Sequence, residues 1–228
     1  MSAQATPRGR PAGAPADPGG AARVAVISDT HMPGRGRVLP EACLERLRGA
    51  DLIVHAGDLA DMGTLATVRG IGPPVVAVHG NVDEARVRAA LPRAAEVEVA
   101  GLRIGVVHDA GPERGRLLRL RRRFPHAGAV IFGHSHIPFH EASEDGFFIL
   151  NPGSPTDRRR QPRHTMAEIV VADGRPRVTF VAVDEPSGPL DPALVRGSWA
   201  PPRPRAGSCS PIPSGGRLSA TEGGLALT

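Results

Sequence analysis

The chain has 228 residues, 40% apolar and 22% charged, enough for one sizeable domain or two small ones. Every one of its 28 basic residues is Arg and the net charge is only +5, so its basic character is no argument for a nucleic-acid binder, and 3% aromatics leave few platforms for stacking bases. Two cysteines far apart, Cys43 and Cys209, exclude a disulfide framework.

Residues 1–22 are rich in Pro, Ala and Gly without periodicity and are expected to form a disordered arm. Regular structure is predicted from Arg23 to Ser28, a buried strand running into Asp29-Thr30-His31. Val38 to Leu47 shows helical spacing at Val38, Ala42, Leu44 and Leu47, with Cys43 near the buried side. Asp51 to His55 reads as a second strand, ending in Ala56-Gly57-Asp58, and a short helix follows over Met62 to Arg69. Pro74 to His79 reads as a third strand, ending in Gly80-Asn81-Val82-Asp83, and a helix over Glu84 to Leu91 is stopped by Pro92.

The pattern then changes. Ala95 to Val99 and Leu102 to Val107 flank Gly101 as a hairpin whose second strand runs into His108-Asp109. Glu113 to Phe124 is predicted to be a basic helix with an apolar stripe of Leu117, Leu118 and Leu120. Gly128 to Phe132 is a strand delivering Gly133-His134-Ser135-His136. Further strands are expected over Phe139 to Glu141, Gly146 to Leu150, Thr165 to Val171 and Arg177 to Val183. Residues 23–185 thus form the domain, and 186–228, rich in Pro, Ser, Gly and Arg, are expected to be a disordered tail in which Trp199 is exposed. Alternating strands and helices followed by a run of strands argue for an α/β layered domain, the early strands parallel and the later ones in a second, mostly antiparallel sheet.

Five strand ends finish in metal-ligand residue types: Asp29 and His31, Asp58, Asn81, His108, and His134 with His136. In an open α/β sheet ligands bind outside the carboxyl ends of the strands, so these residues can meet on one rim. Imidazole and carboxylate together suit Mn, Fe, Ni, Co or Zn rather than calcium, and seven ligands serve two ions sharing one carboxylate. Taken singly each piece has a blander reading: Gly-Asp and Gly-Asn are turn signals, and a lone buried histidine is commonly structural. The glycines before Asp58, Asn81 and His134 are read as permitting sharp turns.

The ordered series Asp29-x-His31, Gly57-Asp58, Gly80-Asn81, His108 and Gly133-His134-x-His136 resembles the calcineurin-like metallophosphoesterase superfamily. Asn151-Pro152-Gly153-Ser154 and the compact size point to its small branch of YfcE-like phosphodiesterases, whose fold the retromer subunit shares. The resemblance covers residues 23–184. It implies a four-layer α-β-β-α sandwich of two mixed sheets flanked by helices, with the metal site at the carboxyl ends of the strands. It implies one metal held by Asp29, His31, Asp58 and His136 and another by Asp58, Asn81, His108 and His134, with Asp58 bridging. Asp58, Asn81 and His108 would position nucleophile and phosphate. Two divalent ions, Mn²⁺ first among them, about 3.5–4 Å apart can hold a bridging hydroxide and clamp phosphate oxygens. The expected activity is hydrolysis of a small phosphodiester or phosphoester.

One position departs from the resemblance: many relatives carry His where this chain has Val82, which favours diesters and good leaving groups over ordinary monoesters. Asp83 is read as orienting a ligand or capping a turn, His55 and His79 as lining the rim or buried in hydrogen bonds, and Asp109 as a partner of a ligand. Arg35, Arg37 and the run Arg158-Arg159-Arg160 are within reach of a phosphate on this reading or are a solvated surface. The competing class is an interaction scaffold on the same fold, which would not need seven ligand-competent residues together. A nucleic-acid binder, suggested by the basic stretch Arg114 to Arg123, comes third, so nucleic acid is expected only as substrate. No apolar run approaches membrane-spanning length and the N-terminus lacks the core of a secretory signal, so a cytoplasmic protein with no membrane partner is expected.

Overall fold

A computed structural model describes residues 21–198. The first half alternates: β1 (Ala22–Ile27), α1 (Glu41–Arg48), β2 (Leu52–His55), α2 (Met62–Arg69), β3 (Val75–Ala77) and α3 (Ala85–Ala90). Then come β4 (Ala94–Val99), β5 (Leu102–Val107), α4 (Arg116–Arg123), β6 (Ala129–Ile131), β7 (Phe139–Ala142), β8 (Phe148–Asn151), β9 (Thr165–Ala172), β10 (Arg175–Ala182), β11 (Gly188–Pro189) and β12 (Arg196–Gly197). The expected helix at Val38 begins only at Glu41, because Pro40 fits ahead of a first helical turn; Val38 is exposed and Leu39 is buried in its place.

The strands form two six-stranded mixed sheets, ordered β11-β10-β9-β1-β2-β3 and β12-β7-β8-β6-β5-β4. β1, β2 and β3 pair in parallel, and β9 and β10 return to this first sheet antiparallel to β1 and to each other. The second sheet is not mostly antiparallel, as the strand run suggested. β5–β6, β6–β8 and β7–β12 are parallel pairs, and only β4–β5 and β7–β8 are antiparallel. Short strands separated by loops carry no mark of direction, so the pairing is decided by what each buries.

The sheets pack face to face through alternate residues: Val24, Val26, Val54, Ile169 and Phe180 from the first meet Ile104, Val106, Ile131, Phe148 and Leu150 from the second. The opposite faces are covered by helices. Cys43 and Leu47 of α1 lie on Ala25, Ile27 and Ile53, and Leu120 of α4 with Phe124 lies on Val130 and Ile149. This is the α-β-β-α sandwich. Cys43 is a free thiol whose burial pushes its pKa up to about 12. In α4 the apolar stripe is narrower than expected: Leu120 is buried and Leu118 faces out.

The chain stays paired beyond the boundary expected at 185. β11 adds to β10, β12 adds to β7, and Leu190 and Val195 enter the core between the sheets. Gly, Pro and Ser in this stretch masked two short edge strands, each only two residues long. Residues 1–20, and the tail from Trp199 onward with Cys209, lie outside the described residues. Among the described residues no helix is long and apolar enough to cross a membrane.

Candidate metal centre

The loops after β1, β2, β3, β5 and β6 carry the seven residues singled out by the sequence, and they converge on one edge of the sandwich. The loops bond to one another in succession: the Asp29 N–H donates to the Gly57 carbonyl (2.9 Å), His31 N–H to Asp58 (3.0 Å) and Gly133 N–H to His108 (2.9 Å). Asp29, His31 and His136 offer ligand atoms all within 4.8 Å of one another, and so do Asp29, Asp58 and His108. Asp58 Oδ2 lies between one histidine of each side, 3.7 Å from His31 Nε2 and 3.3 Å from His108 Nε2. Asn81 Oδ1 is 3.0 Å from His108 Nε2 and 2.8 Å from His134 Nδ1.

Five of the seven, Asp29, His31, Asp58, His134 and His136, have φ between 47° and 72°, the left-handed region that side-chain-bearing residues avoid. Such strain costs of order 1 kcal/mol per residue and collects where a site over-determines its loops. The glycines contribute differently from the turn reading. Gly57 does have positive φ (93°), but Gly80 and Gly133 do not; a Cβ on Gly80 would overlap the Asp58 carboxylate, and one on Gly133 the Ser28 hydroxyl.

Neighbouring groups set the ligand tautomers. The Ala56 carbonyl only accepts, so His108 Nδ1 carries the proton that reaches it (2.8 Å) and Nε2 is the atom turned to Asp58 and Asn81. In the same way His136 Nδ1–H donates to the Asp157 carbonyl and leaves Nε2 facing Asp29 Oδ1 (3.6 Å) and His31 Nε2 (3.2 Å). Asp29 accepts from Ser28 Oγ (2.7 Å) and from the His134 backbone N–H (3.0 Å), and Asp58 from the Val82 N–H (3.0 Å).

Burial pushes the Asp29 carboxyl up to about 7 against the pull of His108. Burial opposes charge on His108 too, but its hydrogen bond to Asp58 and the two carboxylate charges prevail and raise it to about 9. Burial lowers His136 to about 4 and holds His31 below the ordinary histidine range, helped there by Arg159 and Arg37. Acceptor atoms thus press against acceptor atoms, and one proton on His108 relieves only part of the congestion. A cation between them relieves all of it, so the donor set fits divalent metal.

Residues outside the seven have mostly structural places. His55 is buried, accepting from the Gly57 N–H (3.2 Å) on Nδ1 and bonded to Thr30 Oγ1 (3.1 Å) on Nε2, and burial lowers it to about 3. Asp109 caps the Gly111 N–H at an exposed turn and is not bonded to His108. Among the described residues His79 Nδ1 reaches only the Gly80 carbonyl (3.3 Å). Asp83 is buried and accepts from the Asp58, Ala60 and Gly80 N–H groups (3.2, 2.7 and 2.6 Å), joining the β2 and β3 loops.

Sequence reasoning assigned no role to Asn151 or Ser154. Asn151 Nδ2 donates to the Gly133 carbonyl (2.7 Å), and Ser154 Oγ donates to the Asp29 carbonyl (2.8 Å). Their signals were a polar ending to an apolar strand and the Asn151-Pro152-Gly153-Ser154 run that carries the resemblance to the small branch.

Residues 23–174 match the calcineurin-like phosphoesterase superfamily domain. A Methanocaldococcus jannaschii protein named a probable metallophosphoesterase is 40% identical over 141 residues, covering 60% of this chain and 70% of that one. Another so named, from Methanothermobacter thermautotrophicus, is 38% identical over 150 residues, covering 65% and 83%. The fold is that of Entamoeba histolytica Vps29, solved in complex with Zn²⁺: TM-score 0.63 and 23% identity, covering 74% of this chain and 97% of that one. With two thirds of its length matched, this chain belongs to the calcineurin-like phosphoesterase superfamily, whose members act through divalent metal ions.

Proposed function

We propose that the protein is a dimetal phosphodiesterase, with one divalent ion held by Asp29, His31, Asp58 and His136, a second by Asp58, Asn81, His108 and His134, and Asp58 shared. The observation that carries this reading is the Asp58 Oδ2 atom lying between His31 and His108. Mixed imidazole and carboxylate donors favour Mn²⁺ or a neighbouring transition ion. When bound, such a pair supplies a hydroxide nucleophile near neutral pH and neutralises phosphate charge.

The chain's own residues do the positioning. The Ala56 and Asp157 carbonyls hold His108 and His136 in the tautomers that aim Nε2 inward. Ser28, the His134 N–H and the Val82 N–H orient the two carboxylates. With Asn81 Oδ1 turned to the histidines, its amide nitrogen is left to donate to a phosphate oxygen. Two carboxylates against two dications leave the centre cationic, which attracts phosphate. The exposed Val82 offers no proton to a leaving group, which favours diesters with good leaving groups. An interaction scaffold on this fold makes no use of the converging donors.

The test is hydrolysis of bis(4-nitrophenyl) phosphate by chelator-stripped protein with and without Mn²⁺. Turnover is expected only with metal, and Asp58→Asn is expected to lower it at least about 100-fold, beyond the roughly 10–100-fold typical of losing an outer partner. Unchanged turnover in this variant sinks the shared-carboxylate mechanism; a folded protein inert with every divalent ion favours the scaffold.

A further inference from the structure

Asp157 links the metal centre to a pair of arginines. Its carbonyl accepts from the ligand-candidate His136, while its carboxylate Oδ2 receives Arg37 Nη2 (2.9 Å) and Arg159 Nε (3.3 Å). The loop is stitched to the Asp29-x-His31 turn: Asp157 N–H donates to Ser154 Oγ (2.8 Å), Ser154 to the Asp29 carbonyl (2.8 Å) and Thr156 Oγ1 to the Thr30 carbonyl (2.6 Å). The arginines therefore stand in fixed register with the His31 and His136 side of the site. Two guanidiniums on one carboxylate oxygen leave an excess positive charge. Arg37 is largely buried, whereas the Arg159 side chain is 60% exposed and, among the described residues, its terminal nitrogens carry no hydrogen bond. Arg159 also sits at φ 52°, a strained backbone for a residue with a side chain. A planar fork with free donors suits phosphate oxygens.

We propose that Arg159, backed by Arg37 and held by Asp157, forms an anion subsite beside the metal centre that selects phosphoesters carrying a second phosphate. The proposal rests on the phosphoesterase reading for its meaning and on direct binding for its test. The probes are adenosine 5′-monophosphate and adenosine 3′,5′-bisphosphate. Each is measured as a competitive inhibitor of bis(4-nitrophenyl) phosphate hydrolysis and, independently, by calorimetric titration into the Mn²⁺-loaded full chain.

Wild-type protein is expected to bind the bisphosphate at least 10-fold more tightly than the monophosphate. Arg159→Ala should bring that ratio to within 3-fold while the melting temperature stays near wild type. Arg159→Lys should restore part of the ratio, and Arg160→Ala, an equal loss of charge in the same run, should leave it intact. A wild-type ratio near one, or a ratio that survives Arg159→Ala, overturns the subsite. If no hydrolysis occurs with any metal, the enzymatic reading fails and the calorimetric ratio still decides the subsite.

Discussion

Asp83 is the residue on which the geometry of two ligand loops depends. Its carboxylate serves three N–H groups, including that of Asp58. Asp83→Ala leaves those donors without partners, and at about 1–3 kcal/mol for a buried unsatisfied group the total loss is expected to reach at least about 3 kcal/mol in urea unfolding. The metal dissociation constant should rise about 10–100-fold, read by competition with a chromogenic chelator. His140 of β7 makes a second prediction. Its ring stacks on Phe148, its Nδ1 is buried without a partner among the described residues, and burial lowers its pKa to about 4. The unfolded chain, with an ordinary value near 6.5, binds the extra proton between pH 6.5 and 4. His140 therefore subtracts stability as pH falls through that window. His140→Phe should flatten this part of the stability–pH curve, measured by denaturant midpoints at pH 4.5, 5.5 and 7.

At the scale of the element, α4 looks in sequence like a nucleic-acid helix, but most of its charges are used locally. The Arg116 guanidinium lies over the Phe132 and Phe139 rings (5.0 and 5.3 Å), Arg119 donates to the Ala110 and Pro112 carbonyls, and Arg121 pairs with Asp145. The helix docks through Leu120, whereas Leu118 is exposed. Leu120→Ala should cost about 2–5 kcal/mol and Leu118→Ala less than about 0.5 kcal/mol, by chemical denaturation. Equal costs would mean that α4 packs on a different face. Helix bounds were readable to within a few residues because apolar spacing and Pro or Gly punctuation are local; Leu118 was misplaced because two turns are too few to distinguish neighbouring stripe positions.

For the whole molecule, the stretch beyond Asp184 belongs to the fold as far as Gly197. Leu190 and Val195 are buried between the sheets. Ending the chain at residue 185 removes both, along with the edge strands β11 and β12, and should lower stability by about 3 kcal/mol or more relative to the full chain, at about 1.5–3 kcal/mol per buried aliphatic side chain. An unchanged melting temperature would show that this stretch contributes no core. It adds a short strand at one edge of each sheet, so the boundary read from composition alone fell about a dozen residues short.

The chemistry of the candidate site was legible in the sequence because each donor directly follows an apolar strand, and a strand end is a local signal. Asp29, His31, Asp58, Asn81, His108, His134 and His136 could be listed in order before their positions were known. Their mutual approach could not: the strands bearing them lie in two different sheets, and only the packing of those sheets brings Asp58 between His31 and His108. The supporting bonds of Asp83, Asn151, Ser154 and Asp157 were equally hidden, since side-chain-to-backbone bonds across 18 to 125 residues leave no periodic trace. Sheet membership followed the same logic. Alternation along a strand says which face is buried but not which neighbour it takes, so the return of β9 and β10 to β1 was decided by the core they fill together.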